Sequence, residues 1–115
     1  MRLSASLHAA DPLRLAEAVR AVSPHVGSLH VDVMDGRFAP AFGFGEQLVR
    51  ALVASGAPPI DVHLMVDAPE PAALRFARLG VRSVAFHVEA TPDPSALAAA
   101  IRDAGALAYG ALLPG

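Results

Sequence analysis

The sequence contains no cysteine among its 115 residues. This absence excludes a disulfide framework and any metal site built from thiolates, and it fits a reducing compartment. An excess of positive charge is also lacking, because nine basic residues, all of them Arg, stand against eleven Asp and Glu residues and are scattered along the chain. A nucleic-acid backbone is therefore not expected as a partner.

Long apolar runs and a secretory leader are missing as well. No apolar run reaches the roughly 18 residues that a membrane span needs, and residues 1–11 carry neither an apolar core nor a small-residue cleavage pattern. The sequence therefore predicts a cytoplasmic protein with no membrane partner. Its hydrophobic content of 54% is that of a compact domain, and we expect residues 1–115 to form one domain.

Short apolar runs alternate with helical patterns along the chain, which is typical of repeated β-α units that feed a parallel sheet. The pattern predicts five strands, at residues 3–7, 28–34, 60–66, 84–89 and 107–113. It predicts four helices, at about residues 11–22, 46–55, 69–79 and 94–104. Asp11 and Pro12 are expected to begin the first helix, and Gly80 and Gly105 to follow the ends of the last two.

Three neighbouring predicted strands carry ionisable residues on one face and Val, Ile, Leu or Phe on the other. The polar faces contain Ser28, His30, Asp32 and Met34 in the second strand, Asp61, His63 and Met65 in the third, and Ala85, His87 and Glu89 in the fourth. Parallel sheets are normally apolar on both faces, so such a face needs a special environment. The lumen of a (β/α) barrel provides one, since catalytic groups lie there at the C-terminal ends of the strands. We therefore predict an α/β fold of the TIM-barrel type.

A candidate metal site follows from the same alternation. His30 and Asp32 are two residues apart on one strand and project side by side, and His63 adds a third ligand at a similar height on the next strand. Two imidazoles and a carboxylate suit one divalent ion of zinc, iron, manganese or cobalt. The alternative from spacing alone is that each His is a core residue that satisfies its own hydrogen bonds.

Two segments closely resemble the signatures of the ribulose-phosphate 3-epimerase family. They are LHVDVMDGRFAP at residues 29–40 and PIDVHLMV at residues 59–66. The stretch SLHAADPLRLAEAV from Ser6, FHVEA from Phe86 and the final ALLPG resemble other parts of the same family. The resemblance covers nearly the whole chain.

The resemblance implies a metal-dependent isomerase of the pentose phosphate pathway, which interconverts D-ribulose 5-phosphate and D-xylulose 5-phosphate by proton transfer at C3. In it, His30, Asp32 and His63 would bind the metal, and Asp32 would also be one of two acid/base carboxylates. Substrate would contact Ser6, Met34 and Met65, although both methionines also fit a role as apolar residues that fill the barrel.

The resemblance also implies that part of the active site lies beyond residue 115. In the family, the second acid/base carboxylate and the phosphate-binding loops come from later strands, and a complete barrel takes roughly 200 residues or more. We therefore expect an incomplete barrel of about five strands of eight, paired with a second copy or with a complementary half barrel. His8, Ala41 and Leu113 depart from the family pattern just after the first strand, in the loop after the second strand and at the end of the fifth.

Two alternatives to the ribulose-phosphate activity stay open. One is a non-catalytic half barrel that serves as a metal-binding or assembly module, and the other is an epimerase of another ketose phosphate, such as allulose 6-phosphate. Among the remaining polar residues, Asp61 is interpreted as a buried hydrogen-bonding group, His87 and Glu89 as residues that support the site without binding metal, and Asp35 as a turn residue.

Overall fold

The computed structural model describes residues 4–7, 12–35 and 45–112, in which strands and helices alternate. The strands are β1 (Ser4–Ser6), β2 (Ser28–Met34), β3 (Ile60–Met65), β4 (Ser83–His87) and β5 (Leu107–Ala111). The α-helices are α1 (Leu15–Val22), α2 (Glu46–Ala54), α3 (Glu70–Ala77) and α4 (Pro94–Asp103). None of the helices in these ranges is long and apolar enough to cross a membrane.

The strands form one parallel sheet in the order β1-β2-β3-β4-β5. Each strand pairs with the next one along the chain after a helical connection, which is the connectivity of a (β/α) barrel wall. Within the described residues, β1 and β5 each pair with one neighbour and form the two edges of the sheet. The predicted α/β fold, an incomplete barrel of the TIM type, is confirmed.

The predicted bounds hold best for β2 and least well around α1 and β4. The first helical segment begins with a 3-10 turn at Pro12–Arg14, and the α-helix itself starts only at Leu15, later than predicted. The fourth strand ends at His87 because Val88–Ala90 turn into a 3-10 helix, so the prediction that Glu89 lies on this strand was wrong. The predicted capping role of Asp11, the terminal strand residues Leu3 and Leu113, and the departures at His8 and Ala41 lie outside the described residues.

The helix-facing side of the sheet holds the hydrophobic core. Along β3 every second residue is buried, as the alternation of the sequence predicts, and along β2 Leu29 and Val31 are buried while Val33 is partly buried. The strand residues in this core are Leu29, Val31, Ile60, Val62, Leu64, Val84 and Phe86. The helices cover them with side chains that include Val19, Val49, Phe76, Leu97 and Ile101. This packing leaves the other face of the strands for the polar residues.

The end of α4 matches the prediction made for Gly105. This glycine has a φ of +108°, a conformation that L side chains rarely adopt. The change of chain direction at Gly105 lets the Ala106 amide donate to the Ile101 carbonyl over 3.3 Å, while the Gly105 amide donates to the Arg102 carbonyl over 3.0 Å. These bonds satisfy carbonyl groups that the helix end would otherwise leave unpaired, and they set the direction in which β5 starts.

Asp61 forms a partly buried polar cluster at the N-terminal end of the polar face. Arg82 donates from Nε to Asp61 Oδ1 over 2.8 Å and from a terminal nitrogen to Oδ2 over 2.6 Å, and the Ser83 hydroxyl donates to Oδ1 over 2.6 Å. Burial by itself would raise the pKa of Asp61. The hydrogen bonds from Arg82, Ser83 and Ser28 outweigh it and hold the pKa below its ordinary value of 3.8.

The lowered pKa of Asp61 predicts a loss of stability in acid. A carboxyl whose pKa is lower in the folded state contributes stability that is fully present above its unfolded value, here 3.8, and is lost as the pH falls through the folded value. We expect Asp61→Asn to be less stable than the parent at neutral pH, with a difference that shrinks as the pH falls below about 4. Urea unfolding measured across the acid range tests this.

The exposed carboxylate of Asp103, at the end of α4, provides the matched control. Asp103→Asn is expected to change the free energy of unfolding by less than about 0.5 kcal/mol, because its side chain is exposed. A stability difference between the parent and Asp61→Asn that stayed constant from neutral to acid pH would contradict the role assigned to the Asp61 carboxylate.

Candidate metal centre

The three residues proposed as metal ligands meet on the polar face of β2 and β3. Asp32 and His63 are directly opposite each other in the parallel register, and His30 lies two residues before Asp32 on the same side of β2. One ligand atom from each of these residues lies within 4.8 Å of the other two. In the described part of the chain, His30, Asp32 and His63 form the group whose geometry could hold a metal ion.

The carboxylate of Asp32 sits between the two imidazoles. Its Oδ1 lies 2.8 Å from His30 Nε2 and 3.6 Å from His63 Nδ1. The two rings are 5.7 Å apart between centroids and nearly perpendicular, at 74°. Asp32 is only 16% exposed, against 37% for His30, so the carboxylate forms the inner part of the cluster and His30 its outer part.

His63 is in a suitable protonation state to act as a ligand. Burial lowers its pKa below the ordinary value of 6.5, and the electrostatic effects of His87 and His30 lower it further, against the opposing effect of Asp32. The imidazole is therefore neutral near pH 7, as a metal ligand must be. Its Nδ1 faces Asp32, while its Nε2 lies 2.9 Å from His87 Nε2.

The donor set fits a divalent transition metal. Two imidazoles and one carboxylate are ligands that zinc, iron, manganese and cobalt accept, and they converge here. Three protein ligands also leave coordination positions for substrate or for another residue. The arrangement could therefore bind a cation and place a carboxylate beside it.

The predicted substrate-contacting residues surround the cluster on the same face. Ser6 pairs in register with His30, and its side chain is exposed. Met34 and Met65 are register partners at the C-terminal ends of β2 and β3, one layer above Asp32 and His63, and both are half-buried. The strand geometry thus places a hydroxyl beside the cluster and two thioethers above it.

Two features of the polar face were missed or only partly predicted. His87 is 6% exposed and contacts His63. Strand alternation places both side chains on the polar face, but whether they touch depends on how far β3 and β4 are shifted relative to each other. Asp35, interpreted as a turn residue, accepts a hydrogen bond from the Asp67 amide over 2.9 Å and so joins the segments that follow β2 and β3. Each contact ties an element of the site to its neighbour.

Comparison with known proteins agrees with this architecture. The model of the ribulose-phosphate 3 epimerase family matches residues 2–115. The chain is similar to ribulose-phosphate 3-epimerases from Mycobacterium tuberculosis strain H37Rv (43% identity over 98% of this chain and 49% of that protein) and Mycobacterium leprae (42%, over 98% and 50%). It is also similar to the protein of the same name from Candida glabrata (33%, over 98% and 53%).

The chain spans about half the length of the curated relatives that it matches. Because the family model covers residues 2–115 and the parallel β/α order matches the predicted barrel type, the chain belongs to the ribulose-phosphate 3-epimerase family.

Proposed function

We propose that this chain supplies the metal-binding part and one acid/base residue of a sugar-phosphate 3-epimerase that interconverts D-ribulose 5-phosphate and D-xylulose 5-phosphate. The observation that carries the proposal is the convergence of His30, Asp32 and His63 within 4.8 Å in a member of this family. We assign the reaction to the cytoplasm, and residues 1–115 to a single partial-barrel domain.

Asp32 is the residue to which we assign the proton transfer. Inversion at C3 of a ketose phosphate requires removal of the proton next to the C2 carbonyl and its return on the opposite face. The Asp32 carboxylate is held by His30 and is largely shielded from solvent, so it can accept a proton from a carbon placed over the cluster. When bound, a divalent cation supplies positive charge close to the anion that develops as the proton leaves.

The residues around the cluster position the substrate. The exposed hydroxyl of Ser6 lies next to His30 in the register and can hydrogen-bond to a sugar hydroxyl or carbonyl oxygen. Met34 and Met65 present polarisable, apolar surface above the carboxylate. This surface excludes water from the carbon and strengthens the electrostatic effect of the charged groups.

The return of the proton needs a second acid, which we assign to a complementary half barrel or to a second copy of the chain. In the described ranges, Asp32 is the carboxylate that belongs to the cluster. The edge strand β5 presents Leu107 and Tyr109 on the polar face with 49% and 52% exposure. An edge strand with such surface favours pairing with further strands, which supports this proposal.

The test is exchange of the C3 proton of ribulose 5-phosphate with deuterated solvent, followed by NMR. If Asp32 takes the proton without a second acid, the chain with Zn²⁺ catalyses exchange at C3 but forms xylulose 5-phosphate slowly. Adding the complementary half of a relative is expected to restore inversion. The absence of both exchange and inversion in the reconstituted protein would overturn the proposal.

A non-catalytic metal-binding module is the second candidate, favoured by the single carboxylate in the cluster. It predicts uptake of metal without exchange at C3 under any of these conditions. The same assay with allulose 6-phosphate compares the two sugar phosphates, and a higher rate with allulose 6-phosphate would reassign the substrate. A monomeric mass in solution would exclude the second copy as the completing partner.

A further inference from the structure

His63 is held between two groups, one at each ring nitrogen. Its Nδ1 lies 3.6 Å from Asp32 Oδ1, and its Nε2 lies 2.9 Å from Nε2 of His87. The rings of His63 and His87 are nearly parallel, at 20°, with centroids 5.0 Å apart. The His87 side chain is only 7% exposed, so water does not compete freely for this contact.

The direction of the His63–His87 hydrogen bond decides whether His63 can bind a metal. A neutral imidazole carries one N–H and one lone pair. If His63 donates from Nε2, its Nδ1 lone pair faces Asp32 and the cluster. If His87 donates instead, the His63 proton must sit on Nδ1, and that nitrogen can no longer be a ligand.

Glu89 lies on the far side of His87 and favours the first arrangement. Its Oε1 is 3.8 Å from His87 Nδ1, so its negative charge stabilises a proton on that nitrogen. A neutral His87 with the proton on Nδ1 has its lone pair on Nε2 and can only accept from His63. The negative charge of Asp32 favours a proton on His63 Nδ1 instead, but its Oδ1 is closer to His30 Nε2, at 2.8 Å.

We propose that His87 is a positioning residue which, oriented by Glu89, keeps the proton of His63 on Nε2 and so presents Nδ1 to a divalent cation. This inference rests on the metal role proposed for His63. The assignment goes beyond the three clustered residues, because it makes the turn after β4 part of the site. Outer partners that orient a ligand in this way typically contribute about 10–100-fold to metal affinity.

The tautomers can be measured in the metal-free protein. Long-range ¹H–¹⁵N correlation spectra at about pH 8, where histidine is neutral, distinguish a protonated from an unprotonated ring nitrogen. We expect His63 to carry its proton on Nε2 and His87 to carry its proton on Nδ1. A His63 proton on Nδ1 would overturn the proposal, whether or not the protein binds metal.

Substitutions at His87 provide the second measurement. His87→Phe keeps a ring but removes the acceptor, and it is expected to weaken Zn²⁺ binding by about 10–100-fold in competition with a chromophoric chelator. His87→Gln offers a carbonyl oxygen as acceptor, and we expect it to recover most of this loss. The exposed His25 provides matched controls, since His25→Phe and His25→Gln should leave the affinity unchanged.

Equal losses in His87→Phe and His87→Gln would contradict a role through the hydrogen bond, and so would unchanged binding in His87→Phe. If His87→Phe does not fold, His87→Gln and the parent spectra still decide. A parent protein that binds no Zn²⁺ but shows the expected tautomers would count against the proposed metal function while leaving the His87 assignment in place.

Discussion

Replacing Asp32 by Asn is expected to lower the affinity for Zn²⁺ by more than about 100-fold, which exceeds the usual cost of losing an outer partner. The Oδ1 atom of Asp32 is the point on which the cluster converges, 2.8 Å from His30 Nε2 and 3.6 Å from His63 Nδ1. An amide has no negative charge, so the cation would lose both a strong ligand and its charge compensation. Competition against a chelator of known affinity measures the loss.

The control for this substitution is the same chemical change at a solvated position. Asp103→Asn should bind Zn²⁺ as the parent does, because Asp103 is exposed at the end of α4. Circular dichroism and urea unfolding of Asp32→Asn check that the fold is retained. Zn²⁺ affinity within a few-fold of the parent in a folded Asp32→Asn protein would show that the cluster is not the metal site.

Replacing Phe86 by Ala is expected to lower the free energy of unfolding by about 3–5 kcal/mol. Phe86 is 1% exposed on the helix-facing side of β4 and is the largest fully buried side chain among the residues that the structure describes. Its removal costs both the transfer energy of the ring and a cavity in a close-packed interior. The loss is a large part of the total stability of an ordinary domain, so we expect partial unfolding at 37 °C in the absence of a partner.

Urea unfolding measures the effect of the Phe86 substitutions. Phe86→Leu is the matched variant, because it keeps most of the apolar volume and should cost clearly less than Phe86→Ala. A loss below about 1 kcal/mol for Phe86→Ala would mean that this face of β4 is not packed as described.

The alternation of side chains made the two faces of the sheet predictable. Because successive residues of a strand point to opposite sides, Leu29 and Val31 could be assigned to the core, and His30 and Asp32 to the opposite face, without knowledge of the fold. The polar face of three neighbouring strands also indicated the barrel type, and the family resemblance added the roles proposed for the polar residues. The hydrogen-bonding role predicted for Asp61 is also confirmed, and its side chain is partly buried.

Contacts that depend on the relative shift of two strands or on the path of a turn could not be predicted from side-chain alternation. His63 pairs in register with Ala85, yet its ring contacts His87 two residues further along β4, and the sequence does not encode that offset locally. Arg82 was missed because it precedes β4, where alternation gives no assignment. The turn at Val88–Ala90 removes Glu89 from the strand, a change of backbone path that propensity alone does not reveal.

The proposed ligands all belong to the single unit β2-α2-β3, since His30 and Asp32 lie on β2 and His63 on β3. The three proposed ligands therefore come together when this one unit forms, and the addition of β4 brings His87 against His63. A cation that binds only the closed unit stabilises it by mass action, in proportion to the logarithm of the metal concentration over the dissociation constant. Removing a bound metal with a chelator is thus expected to lower the free energy of unfolding as well as to stop any chemistry at the cluster.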